Sequence, residues 1–432
     1  MLAAQARGIH DNAHHLVWLG FGVPGDDTPC GHHTGAWASR PFPERGVNPT
    51  LKKTALVFCQ DQFGHVDGKT ASALVRHSET YTVVGVIDSL LAGNDAGEEL
   101  GLPHAGIPIF ADLADALSDL TESPDCYVYG KAPLETCVPT HERRLILEAM
   151  ECGMDIVNGL HQFFSEDDEF ARAAVRNGVS ITDVRKSPSL DELHVFTGRI
   201  AEVDVPVIAM LGTDCACGKM TTAVELNKAL NAQGIRSVLV ATGQTGLMQG
   251  SKYGASIDAL VSQFVIGEIE HAVVAAFEGE HPDIILVEGQ SAVSHPAFMS
   301  SFGILKGSMP DGVILQHPPA RKTRCDFPDL KMPTAESEIR LIETISKAKV
   351  VALALSHEGM STEDVNSEIE EYEMRLGMPA TDVLVDGCDK LVRALIERFP
   401  TLVGGPRPKL RLVPRIKPTT LAEAVVPVLT VT

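Results

Sequence analysis

The chain has 432 residues, 44% of them hydrophobic and 22% charged, a globular composition long enough for two domains rather than one core. Its formal net charge of -21 excludes the basic face that nucleic-acid phosphates require. No stretch of about 18 uninterrupted apolar residues predicts a membrane span, and nine cysteines without a repeated framework fit reduced thiols in a cytoplasmic protein.

Residues 1–50 are rich in Gly, Pro and His and lack periodicity, which predicts an extension with little regular structure. The start, MLAAQARGIHDNAHHLVWLGFG, has neither a basic head nor a small-residue cleavage site and is read as a tail. From Thr54 short apolar runs alternate with helical stretches. TALVF (54–58), YTVVGVID (81–88), PIF (108–110), CYVYG (126–130), MDIVNG (154–159) and VSITDV (179–184) read as strands. Helices over KTASALVRH, 142–153 and 169–178 separate them, so a parallel sheet with crossovers is expected, a Rossmann-like domain over 51–198.

A second α/β domain is expected over 199–432. VPVIAML (205–211) is apolar throughout, as a strand covered on both faces must be. SVLVA (237–241), DIILVEG (283–289), GVILQ (312–316), VVALALS (350–356) and DVLVDG (382–387) are the further strands. Right-handed crossovers make this a doubly wound, mostly parallel sheet, and ligands of such sheets bind beyond the carboxyl ends of the strands.

Between the strand 205–211 and the helix TTAVELNKALNAQG lies GTDCACGKMTT, residues 212–222. A phosphate loop has the form G-x-x-x-x-G-K-[ST] between a strand and a helix. Gly218 and Lys219 supply its core, and Thr213 takes the first-glycine position with Gly212 just before it. Amides of Cys215, Ala216, Cys217, Gly218 and Lys219, with the helix start, are the expected phosphate donors. Asp214, Met220, Thr221 and Thr222 complete the cofactor-binding set. Met220 stands where a hydroxyl normally binds magnesium, and Thr221 is one position too late. A cofactor whose phosphates are held but not cleaved, coenzyme A, fits this departure; ATP with Mg2+ is the alternative. Cys215-x-Cys217 without a second pair or a neighbouring histidine is a poor zinc signal, so no metal site is expected. Its thiols are either reactive at the helix start or small loop-filling side chains.

The loop, together with ATGQTG (241–246), ILVEGQSAVSHPA (285–297) and HPPARKT (317–323), resembles the DUF1611 family. GKTASALVRHS (68–78), VVGVIDS (83–89), NGLHQF (158–163) and ITDVRK (181–186) resemble its Rossmann-like domain. The likeness spans residues 54 to 398 and leaves the first 50 outside. The family resembles D-glutamate N-acetyltransferases, which implies an acetyl-CoA-dependent N-acetyltransferase acting on an acidic amino acid. The loop is also similar to that of dethiobiotin synthetases, so an ATP-dependent ligase or kinase is an alternative, and a non-catalytic nucleotide-binding regulator a third. SHEG after residue 355, where an asparagine-containing turn is expected, departs from the family pattern and draws attention to His357.

Amide formation from a thioester needs a base for the amine proton and donors for the oxyanion. Glu288, at the carboxyl end of its strand, is the candidate base, with a metal ligand or a turn-capping acid as alternatives. His295 and His317, also after strands, are candidate proton shuttles. An acidic substrate calls for cationic partners, with Arg321 and Arg185 the first candidates beside Lys322 and Lys186. Gln244 and Thr245 are expected to hydrogen-bond substrate or phosphate, and Lys69 to make a substrate or domain-interface contact. Asp88 sits where dinucleotide enzymes hold a ribose, but no G-x-G-x-x-G accompanies it. His161 is a further candidate for the interdomain cleft. The expected partners are a small-molecule amino acid and further copies of the chain, with no nucleic acid and no membrane.

Overall fold

The structure, a computed structural model, describes residues 52–133 and 137–404. The expected extension over 1–50 lies outside them. The first sheet is formed by β1 (Lys53–Phe58), β2 (Tyr81–Ile87), β3 (Ile109–Phe110), β4 (Cys126–Tyr129), β5 (Asp155–Asn158) and β6 (Ile181–Asp183). Its order is β3-β2-β1-β4-β5-β6 and every pair is parallel. Helices α1 (Lys69–Arg76), α2 (Ala96–Glu99), α3 (Leu113–Asp119), α4 (Thr140–Glu151) and α5 (Asp168–Asn177) make the crossovers. Ala55, Leu56, Val57 and Phe58 are all buried, because helices cover both faces of a central parallel strand. On one face Phe58 meets the rings of Tyr127 and Tyr129, at 5.9 and 5.6 Å between centroids.

The second sheet contains β7 (Val207–Gly212), β8 (Ser237–Ala241), β9 (Tyr253–Gly254), β10 (Ile284–Glu288), β11 (Gly312–His317), β14 (Lys349–Leu355) and β15 (Ala380–Thr381). A separate antiparallel hairpin, β12 (Thr323–Arg324) and β13 (Phe327–Lys331), follows β11. The helices are α6 (Lys219–Ala232), α7 (Gln244–Gln249), α8 (Ser262–Glu280), α9 (Ser300–Ser308), α10 (Ala335–Ser346), α11 (Thr362–Leu376) and α12 (Asp389–Arg398). The strand order is β15-β14-β11-β7-β10-β8-β9, again parallel throughout. The chain first builds outward from β7 on the β10–β8 side and then turns back to the β11–β14 side. The switch point therefore lies beside β7, and residues 212–222 open onto it. Along β7 the side chains alternate. Val207, Ala209 and Leu211 enter the core with Val273 of α8; Ile208 and Met210 enter the opposite core with Leu226 of α6 and Leu391 of α12.

The Rossmann-like and P-loop parts of the α/β reading are both present. DVLVDG is a correction: the strand is Ala380–Thr381, and 382–387 is a turn. Asp382 ends the strand by accepting the amides of His357 and Leu384 on its two carboxylate oxygens, leaving Leu384 and Val385 exposed. The two-residue β9 and the hairpin were not anticipated, since neither is long enough to establish a period. Among the described residues no helix is long and apolar enough to cross a membrane.

The two sheets meet through α1 and α7. Gln249 donates to the carbonyls of Ala73 and His77, at 2.9 Å each, and its own carbonyl accepts Glu79 N–H. The link between the sheets is clamped by Glu270 of α8. This buried carboxylate accepts from Thr197 N and Oγ1 and from Ile200 N, at 2.6, 3.0 and 3.1 Å. Glu270→Ala removes three charge-assisted bonds and strands the buried Ile200 amide, so a loss of about 2–3 kcal/mol is expected in urea unfolding.

Candidate functional site

Gly212 ends β7, and the chain turns through Thr213–Gly218 before Lys219 starts α6. Gly218 has φ of 103°, a conformation that only glycine adopts without strain, and it delivers the chain into the first turn of α6. The unpaired amides of that turn give the loop its affinity for anions. Lys219 is buried, and its ammonium donates to the loop carbonyl of Asp214 at 2.5 Å, 3.6 Å from Cys217 Sγ. An incoming phosphate oxygen therefore has to take the place of that carbonyl. Thr222 Oγ1 donates to Gln316 Oε1 at 2.6 Å. Met220 extends toward α7: a Cβ on Gly246 would stand 2.9 Å from Met220 Cε. A thioether packed in this way offers magnesium no oxygen. Thr221, one position on, is half-buried.

Asp214 has no solvent exposure. Its Oδ2 accepts from Arg321 Nη1 at 2.9 Å and from the amide of Cys325 at 2.8 Å. Its Oδ1 has no hydrogen-bond partner among the described residues, with Arg324 Nη1 at 3.6 Å and His295 Nε2 at 3.8 Å. Arg321 corrects the expectation of a substrate grip. All five of its N–H groups are engaged: two by Glu358, one by Asp214, and two by the carbonyls of Cys215 and Ala216. It braces the phosphate loop and has no donor left for a substrate carboxylate.

The histidines are also corrected. His317 Nδ1 lies 2.9 Å from Thr213 Oγ1, its ring stands edge-on to Tyr372, and burial lowers its pKa to about 4. The His295 side chain is fully buried between Phe298 and Phe327, and its Nδ1 accepts the Ala297 amide. Burial, then the charge of Arg324, lowers its pKa. Both rings are buried against the protein rather than exposed on a rim. Cys215 is the half-exposed thiol of the loop. A hydrogen bond from the Cys325 thiol, opposed by burial and helped by the charge of Lys219, lowers its pKa to about 6; the Cys325 thiol is correspondingly raised. Cys217 is buried and points to Asp214 O, which is the loop-filling role.

Glu288 is buried at the end of β10, between the loop strand and β8. Its Oε2 accepts the amides of Thr242 and Gly243, at 2.9 and 3.2 Å, while Oε1 makes no hydrogen bond among the described residues. Burial raises its pKa to about 7 against the pull of those amides and of Lys219. Gly243 and Gly246 leave the space this carboxylate fills; a Cβ on Gly246 would come within 3.0 Å of Oε2.

The remaining candidates mark the seam between the sheets. Thr245 Oγ1 bonds Thr70 Oγ1 at 3.0 Å, and Gln244 Cγ lies 3.3 Å from where a Cβ on Gly159 would be. Arg185 pairs with Asp258 at 2.9 Å and donates to Gly159 O, so it joins the sheets instead of waiting for a substrate. Lys69 is exposed, and its neighbour Thr70 makes the contact expected of it. His161 is half-buried, 3.8 Å from Asp258. Asp88 accepts Leu90 N of its own turn and Phe63 N of the turn after β1, and Lys186 bonds Ser165. His357 pairs with Asp382 at 2.9 Å and lines a cavity of about 220 Å³ with Arg76, Leu100 and Met360, apart from the phosphate loop. Gln316, Arg324, Cys325 and Glu338 belong to the site but were not singled out. The basic-thiol run RKTRC is the one sequence signal that marks any of them.

Residues 194–392 match the P-loop domain described as DUF1611_C, of unknown function, and residues 89–187 match the Rossmann-like domain DUF1611_N. A D-glutamate N-acetyltransferase of Tritonibacter scottomollicae is 31% identical over 260 residues, covering 59% of this chain and 75% of that protein. One from a Pseudoalteromonas species is 34% identical over 258 residues, covering 58% and 75%. The crystal structure of a DUF1611 family protein from Anabaena variabilis aligns with a TM-score of 0.74 at 30% identity, over 80% of this chain and 100% of that one. The chain belongs to the DUF1611 family.

Arg321→Gln tests the brace. It leaves Asp214 buried with half its charge compensation gone, and a stability loss of about 3 kcal/mol in urea unfolding is expected. A substrate grip would instead raise KM and leave the unfolding midpoint in place.

Proposed function

We propose that this DUF1611 protein is an N-acetyltransferase that moves the acetyl group of acetyl-CoA to the amino group of an acidic amino acid, D-glutamate in the first instance. The observation that carries the reading is Glu288, a buried carboxylate with a pKa raised to about 7, beside a phosphate loop. Such a group takes a proton from an attacking amine near neutrality, which an ordinary solvated carboxylate does poorly. The names of the two curated relatives support the reaction class and the substrate. Coenzyme A as donor is supported by Met220: phosphates bound at the start of α6 without a magnesium-binding hydroxyl suit a cofactor that is held and not cleaved. The loop itself then supplies anchorage, and Glu288 supplies the chemistry.

In this mechanism the amino acid binds between α7 and the loop, with its amine toward Oε1 of Glu288. The amine attacks the thioester carbonyl, Glu288 accepts the proton, and the thiolate of coenzyme A leaves. Neither Arg321 nor Arg185 grips the substrate, since both are engaged elsewhere.

The test is thiol release from acetyl-CoA with D-glutamate. Glu288→Gln is expected to lower kcat by about 10²–10⁴-fold, with the protein still folded. The base works deprotonated, so kcat/KM should fall as pH drops through about 7. Omitting magnesium should leave coenzyme A affinity unchanged. Magnesium-dependent ADP formation, with no thiol released, would replace this reading with the ligase or kinase alternative.

A further inference from the structure

We propose that Asp214, Cys215, His295 and Cys325 form a binding site for one zinc-like divalent cation behind the phosphate loop. Two buried polar atoms there lack partners, Asp214 Oδ1 and His295 Nε2, and they face each other 3.8 Å apart. Both side chains have 0% exposure. The Cys215 thiol joins them: one atom each of Asp214, Cys215 and His295 lie within 4.8 Å of one another. A second cluster, Cys215, Cys325 and Asp326, shares only Cys215 with the first, so the Cys325 thiol becomes the fourth donor by turning about Cys215 toward the Asp214–His295 pair. Tetrahedral zinc, with ligand bonds of about 2.0–2.3 Å, holds its donor atoms roughly 3.3–3.7 Å apart. The Asp214, Cys215 and His295 atoms, all within 4.8 Å of one another, have to close by roughly an ångström to reach that spacing.

The donor chemistry selects the ion. Two thiolates, an imidazole and a carboxylate suit zinc and repel magnesium, which takes hard oxygen ligands. Three anionic ligands around a dication leave one negative charge, and Arg321 and Arg324 stand beside Asp214 to offset it. The surroundings are also prepared. Arg324 holds Ser294 O and Oγ, and Glu338 Oε1 accepts Val293 N and Ser294 N, so the segment carrying His295 is fixed on both sides. Such outer bonds orient metal ligands elsewhere in proteins. On binding, the ring proton of His295 moves to Nδ1, and the 3.2 Å contact from the Ala297 amide is exchanged for the metal bond. Cys217 takes no part, because its sulfur turns toward Asp214 O and Gln316 O. That is why the Cys-x-Cys spacing gives no hint: only Cys215 of that pair is a ligand, and His295 and Cys325 lie far along the chain from it.

The site would lock the loop from behind, leaving its amides and Lys219 for phosphate. It is independent of the acetyl-transfer reading, because its readout is metal content. The reduced full-length protein is loaded with zinc alone or cobalt alone, then desalted. Expected are one equivalent of zinc by elemental analysis and a thiolate-to-cobalt charge-transfer band. Cys215→Ser and His295→Gln should each weaken binding by at least roughly tenfold, with circular dichroism unchanged. Cys388→Ser, a buried thiol in another core, should keep both signals. Wild-type protein that is folded and reduced yet binds no stoichiometric metal would overturn the site, a water then bridging Asp214 and His295. So would a cobalt band whose intensity and cobalt affinity are unchanged by Cys215→Ser. If Cys215→Ser fails to fold, Cys325→Ser decides by the same two readouts. Metal bound without acetyl transfer would sink the proposed function alone; acetyl transfer by protein that takes up no metal on loading would sink this site alone.

Discussion

A carboxylate shut away from water is among the most expensive things a fold can contain unless its charge is met where it stands. Asp214 is that carboxylate, and much of the second half of the chain is arranged to meet it. Arg321 comes from the turn after β11, Arg324 and the Cys325 amide from the hairpin, and His295 from the segment after β10. None of these elements is adjacent in sequence to β7. Arg321 then uses its other donors on the loop carbonyls of Cys215 and Ala216. The charge of one aspartate thus becomes the shape of a loop, whose carbonyls at Cys215 and Ala216 are held by arginine beyond the carboxyl end of β7.

The same economy places Glu288. β10 lies directly beside β7 in the sheet, so a residue ending β10 must emerge next to the loop that ends β7. What makes Glu288 different from Asp214 is its company. Two amides of the next strand's exit bond one of its oxygens, and no arginine faces it. Two buried acids a short way apart are therefore assigned opposite work by their environments. Asp214, beside two arginines, is structural. The pKa of Glu288 is raised to about 7 because burial outweighs the pull of two amides and of Lys219.

The α/β architecture was legible because parallel strands covered on both faces are continuous apolar runs, and VPVIAML and DIILVEG are such runs. The loop was legible for a different reason: strand, glycine-lysine pair and helix lie in one short segment. DVLVDG misled because its apolar residues belong to a turn that Asp382 caps, and a turn-capping aspartate looks in sequence like any strand-end acid. The side chains read as substrate contacts fall at the loop and the seam, and their protein partners there were not legible in the sequence. Whether Arg321 is a grip or a brace depends on whether its five donors are already taken. That is settled by Glu358 and two carbonyls that no spacing rule connects to it. Likewise Arg185 and Thr245 are occupied across the sheet-to-sheet seam by Asp258 and Thr70, partners more than 70 residues distant.

These occupied donors narrow the chemistry that suits the loop. A nucleotide-cleaving site gathers a magnesium ligand and a free lysine on the terminal phosphate, and it gains from every cation that can meet developing charge. Here the hydroxyl position is a packed thioether, Thr222 is turned to Gln316, and the arginine nearest the loop faces backward. What remains toward a ligand is the helix start, the backbone amides and a lysine that must first release Asp214 O. That set binds phosphate firmly and stabilises little charge beyond it. It suits the proposed cofactor, anchored by its phosphates while the bond that breaks lies elsewhere, and on that proposal the raised carboxyl of Glu288 is the group that serves the bond.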